Sequence, residues 1–166
     1  MTPRKRYGRA DAAGREAGRG AGTGQAAQDA TKTVAKLSED DERIARLDAM
    51  RGDAEETERR TLALVDGLEG KKTKIQELGR ETKGEASEMM KTYLGSDGDE
   101  LDGFEFLTMA EAGELGHWEI VREMSRKLGA GDALELAEWS IPIQQGHTEV
   151  VRACSLELAA EEAAEA

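Results

Sequence analysis

An all-α, antiparallel up-down four-helix bundle is what this sequence predicts, and three observations carry it. From residue 38 onward the chain is rich in Ala, Glu, Leu, Lys and Arg and shows no strand-like alternation. Glycines part that region into four long segments, and links this short make consecutive helices antiparallel neighbours. Within each segment apolar residues recur at three- and four-residue steps, the stripe a helix needs in order to bury one face.

The first segment opens at Ser38-Glu39-Asp40-Asp41, which supplies a cap and an acidic first turn, and closes around Gly67–Gly70. The second runs from about Lys72 to Leu94 and stops at Gly95-Ser96-Asp97-Gly98. The third opens near Asp102 and ends at Leu128-Gly129. The fourth starts at Asp132, with Glu135 at capping-box spacing, and reaches about Glu162, leaving 163–166 as a frayed acidic tail. Pro142 lies inside it and should kink or split that helix near Glu138–Ile141.

Residues 1–37 read differently. They hold eight Lys/Arg and three acids, a net of +5, so the rest of the chain must carry −17 of the total −12. Six glycines and nine alanines leave Tyr7, Val34 and Leu37 as almost the only sizeable apolar groups. Such a stretch buries too little surface to offset the entropy of ordering it, so a disordered basic arm is expected, mobile to at least about residue 30. A nucleic-acid contact, if there is one, would run through its arginines.

Composition removes several classes of function. The 166 residues suit one domain with a tail, and one cysteine with two prolines argues against a disulfide-stapled or zinc-knuckle scaffold. No apolar run is long enough to span a membrane, and no apolar core follows the basic N-terminus as in a secretory signal. A soluble, cytoplasmic protein is expected. No phosphate-binding glycine loop, Ser/His/Asp arrangement or basic recognition helix is present.

The informative residues are the ionisable ones on apolar stripes. The third helix reads Leu107, Ala110, Glu114, His117, Val121, Met124, Leu128, so a glutamate and a histidine interrupt one seam at i,i+3. In the fourth, Leu136, Ile143, His147, Val150, Cys154 and Leu158 share a face, with Gln144 three residues before the histidine. Glu85 falls on the stripe of the second helix and Glu58 on that of the first. Glu55, Glu56, Glu81 and Glu88 stay open as alternatives, because a bundle face is broad enough to blur one position. Carboxylates from two helices with Glu-x-x-His on the other two make the layout of a di-iron or di-manganese bundle. Hard ions want bridging carboxylates, and an imidazole on each moderates the charge. Glu58, Glu85, Glu114, His117 and His147 are thus the candidate ligands of iron or manganese, with Gln144 standing where a second glutamate belongs. The competing reading makes both histidines hydrogen-bonded structural residues. Cys154 and the methionines Met89, Met90, Met109 and Met124 read as packing, and Trp118 and Trp139 as covers of helix or dimer interfaces.

Two resemblances touch these motifs. Glu55-Glu56-Thr57-Glu58, Gly116-His117-Trp118-Glu119-Ile120 and the opening Asp132-Ala133-Leu134-Glu135-Leu136 are similar to patterns of the ferritin-like YciE/YciF-type bacterial stress proteins, over roughly residues 40–160. The resemblance implies a ferritin-like bundle, a homo-oligomer, a stress role and a di-metal site that stores or oxidises iron or scavenges peroxide. The sequence departs from that pattern at Arg60, Gly116 and Gln144-Gln145-Gly146, and has no counterpart of the family's first helix. Only His117, and Glu119 more weakly, carry over. Gly116-His117-Trp118-Glu119-Ile120-Val121-Arg122 and Gly146-His147-Thr148-Glu149-Val150-Val151-Arg152 also resemble the second half of an ankyrin repeat, which implies a binding module with structural histidines. The leading expectation is a non-catalytic or weakly metal-binding bundle; the rivals are a helical interaction scaffold and a nucleic-acid-binding arm.

Overall fold

The computed structural model describes residues 9–68 and 72–166, and every regular element among them is a helix. Five helices follow in order: α1 Arg9–Ala35, α2 Asp41–Asp66, α3 Lys72–Leu94, α4 Glu100–Leu128 and α5 Gly131–Glu165. None of them is long and apolar enough to cross a membrane. The four segments expected after residue 38 are present close to their expected limits. The fifth helix is the correction.

Local chemistry explains most of the ends. Asp40 caps α2 by accepting from the Arg43 amide at 2.8 Å, and Asp41 and Glu42 fill the first turn. Asp99 and Asp102 form a reciprocal capping box on α4. Gly129 ends α4 in the left-handed conformation, at φ 68°, a conformation open to glycine at little steric cost. Two expectations at α5 fail. Ala130, not Asp132, occupies its N-cap without a side-chain bond, and the helix runs through Pro142 unsplit as far as Glu165. Pro142 is solvent-exposed, so its ring and missing donor fall on the outer face, where water can satisfy the freed carbonyl.

Residues 9–35 are helical, against the expectation of a mobile arm; the first eight residues, with Arg4, Lys5 and Arg6, lie outside the described ones. Close backbone approach supplies what side-chain bulk cannot. A Cβ on Gly22 would strike the Gly79 backbone, and one on Gly18 would strike Ile75. Further along, Ala30, Thr31 and Val34 are buried, and Val34 fills the space over Gly103 of α4. The small residues that looked like disorder are the contact stripe of a helix.

Helix directions follow from who meets whom. Gly18 and Gly22 meet Ile75 and Gly79 in the same order, so α1 and α3 are parallel. Arg43 at the start of α2 bonds Glu161 near the end of α5, and Asp53 meets His147, so α2 and α5 are antiparallel. Thr108 with Ser155 and Arg126 with Glu138 set α4 antiparallel to α5. α1 packs on α2, α3 and α4, while α5 lies on α4 and, less extensively, on α2. α1, α2, α5 and α4 therefore surround the interior, and α3 lies outside against α1. The interior holds two apolar clusters. One gathers Val34, Leu47, Met50, Phe104, Leu107, Val151 and Cys154; the other gathers Trp118, Val121, Leu136, Ala137 and Ile141. Trp118 thus covers a helix interface, packed fully buried between α4 and α5.

Candidate functional site

Between the two apolar clusters along α4 and α5 lies a layer of buried polar residues. The buried positions of α4 include Leu107, Glu111, Glu114, Trp118, Val121 and Ser125. The expected seam took Ala110, His117 and Met124 instead, each one residue short of a buried position. From α5, Gln144 and His147 turn into the same layer. Asp53 of α2 reaches it from the margin, with its side chain 53% exposed.

His147 stands between two acids. Its Nε2 lies 3.0 Å from Asp53 Oδ2 and its Nδ1 3.5 Å from Glu111 Oε2. Only the imidazolium can donate to both. Burial pushes the ring toward neutrality, but bonds to Glu111 and Asp53 outweigh it and raise its pKa above the ordinary value. Gln144 Nε2 donates to the Glu111 carbonyl at 3.2 Å and also to the Glu111 carboxylate.

Glu114 has no such support. Burial, and then the charge of Glu111, push its pKa up to about 8, against the pull of His147 and of the Trp118 indole. The Trp118 Nε1 is itself buried and makes no hydrogen bond of ordinary geometry. The layer therefore contains two buried carboxyls and one buried base.

The five expected metal ligands are not gathered. Glu114 and His147 come into one neighbourhood. Glu58 instead accepts from Gln28 Nε2 at 2.6 Å and from Gln25, both on α1. Glu85 is exposed on α3. His117 turns to α1, with Nε2 2.9 Å from the Glu16 carbonyl, and burial lowers its pKa against the opposing pull of Glu16. Among the alternatives, Glu55, Glu81 and Glu88 are exposed, and Glu56 is held at about 2 by Arg59 and Arg60. Glu119, carried over from the resemblance, is exposed too. No three His, Cys, Asp or Glu side chains among the described residues converge as metal ligands. The cause is the helix order: α3 was to supply an inward carboxylate, but α1 takes that place and offers glutamines.

Two residues of the layer were missed. Glu111 carried a signal, since it lies three residues before Glu114, with Leu107 and Trp118 completing the stripe. Asp53 carried none, because its partner is 94 residues away. Cys154 is buried as expected; its polar neighbour is Arg46 at 3.5 Å, and burial pushes its thiol up, which makes it a poor nucleophile.

Beside this layer, α1, α3 and α4 leave a cleft of about 290 Å³. Its walls are apolar, and Glu114 is the one ionisable residue lining it among the described residues. Met89 and Met109, expected to be packing, line it while remaining 53% and 44% exposed. No family model, curated protein or solved structure matches the chain.

Proposed function

We propose that this chain is a non-catalytic helical module that works by binding, with its two histidines serving as ties between helices. The observation that carries this reading is where the imidazoles are used. His117 fastens α4 to α1 through a backbone carbonyl, and His147 fastens α5 to α2 and α4 through two carboxylates. Neither nitrogen pair is left facing a shared cage. The cleft beside Glu114 is the concave, mostly apolar feature such a module would use.

The rival is an iron- or manganese-binding bundle of the YciE/YciF type, with a stress role and self-association. It draws support from the long helices and from Glu114 and His147 lying together, but it needs three further ligands that point elsewhere. Metal analysis separates the two. Protein purified with added Fe(II) or Mn(II) should carry well under one ion per chain, and His117→Ala and His147→Ala should each lower the melting temperature without changing metal content. One or more ions per chain, lost on His147→Ala, would establish the rival instead.

A further inference from the structure

The cleft between α1, α3 and α4 has walls and a charge balance that specify an occupant. Ala27 and Ala30 from α1, Met89 and Met90 from α3, and Phe106 and Met109 from α4 make it apolar. The alanines leave room, and the thioethers adapt to the shape of whatever enters. At about 290 Å³ it suits a molecule of small-ligand size.

Glu114, the one ionisable residue lining the cleft among the described residues, is 7% exposed. The groups that face it are Glu111 and Trp118 on its own helix and His147 on α5. Thr23 of α1 and Ser87 of α3 line the same cleft, and α2 reaches the layer through Asp53, which is spent on His147. His147 and Gln144 answer Glu111. Among the described residues no lysine or arginine faces Glu114. Burial without a cation of its own holds Glu114 in the protonated form, and a cationic group entering from the cleft would give its carboxylate the partner it lacks.

We propose that the cleft binds a small apolar primary amine, with its ammonium on the Glu114 carboxylate and its hydrocarbon body against the alanine, methionine and phenylalanine walls. An inorganic cation would leave those walls uncovered, and a neutral hydrocarbon would leave the carboxyl without a partner. The acidic surface of a chain carrying −12 favours the approach of a cation. The inference rests on the binding-module reading and names the ligand class of that same cleft.

Calorimetric titration with benzylamine and cyclohexylmethylamine, against benzyl alcohol and cyclohexylmethanol as neutral counterparts, tests it. The amines should bind at one site per chain and the alcohols about ten- to a hundredfold more weakly, the difference a charge-assisted hydrogen bond makes. Glu114→Gln should erase that preference, while Glu123→Gln, at an exposed carboxylate, should leave it intact. Gly113→Leu should abolish binding of both classes: a side chain there meets open space, so the helix tolerates it, and it fills the cleft. Equal affinity for amines and alcohols, with both lost in Gly113→Leu, would refute the amine assignment and leave the binding module standing. Amine affinity that survives Glu114→Gln would refute the assignment as well. No binding of either class to the unmodified chain would overturn both readings.

Discussion

Replacing Glu114 by glutamine should change how stability depends on pH, and the size follows from the site. A carboxyl that titrates near 4.5 in the unfolded chain and near 8 in the folded one stays protonated in the native state while the unfolded state ionises. Rising pH therefore favours unfolding between those values and has no effect below the lower one. At about 1.4 kcal/mol per pH unit, the difference grows by about 2.5 kcal/mol from pH 5 to pH 7 and flattens above pH 8. His147 acts in the same direction, since its raised pKa contributes stability that is present below about pH 6.5 and lost as pH rises through its folded value. Glutamine keeps the shape of residue 114 and cannot ionise. Urea unfolding followed by circular dichroism at pH 5, 6, 7 and 8 should show the variant gaining on the parent by about 2.5 kcal/mol between pH 5 and 7, with an unchanged denaturant slope. Parallel stability profiles for the two proteins would refute the placement of Glu114 in a dry interior beside Glu111.

Other perturbations test the frame around that layer. Gly22→Val should force α1 away from the Gly79 backbone and lower thermal stability, whereas Gly24→Ala, whose new methyl meets nothing nearer than 3.9 Å, should stabilise by about 0.5–1 kcal/mol through helix propensity. Phe104→Ala, at a fully buried ring, should cost about 3–5 kcal/mol in chemical denaturation. Arg43 lies 2.8 Å from Glu100 and 3.2 Å from Glu161 with its own side chain 10% exposed, so Arg43→Ala should cost about 2–4 kcal/mol and separate the α2 start from the α5 end. Hydrogen exchange confined to those two helix ends would register the separation.

The helices from residue 38 onward were legible because their stop signals are local. Asp40, the Gly95–Gly98 turn and Gly129 act through bonds within a few residues, and the structure uses all three. α1 was not legible, because its order comes from outside itself. Gly18 and Gly22 cost helix propensity where they stand and return it only through Ile75 and Gly79, some 57 residues on. The candidate site failed by rotation. The sequence offered two equally periodic seams on α4, and the one with a histidine attracted the metal reading. The seam that is buried carries Glu111, Trp118 and Ser125, and the choice between them is made by Gln144 and His147 reaching across from α5.

The buried polar layer carries a desolvation cost that an apolar layer would not. Apolar clusters lie on both sides of it, and an apolar layer of the same volume would join them into one core. Buried ion pairs replaced by well-packed apolar residues often leave a protein more stable by about 1–4 kcal/mol, because desolvation exceeds the Coulombic return. The combined variant Glu111→Met, Glu114→Met, Gln144→Met, His147→Leu removes acids, base and amide together and leaves only Asp53, which faces solvent. It should unfold at higher denaturant than the parent at pH 8, where the parent bears the full cost of the Glu114 carboxyl. It should also lose discrimination between amine and alcohol in the cleft. A variant that is less stable would mean the layer holds the helices in register, and its role would then be structural. A variant that is more stable and blind to charge would show that the layer gives up stability for recognition beyond its part in joining the helices.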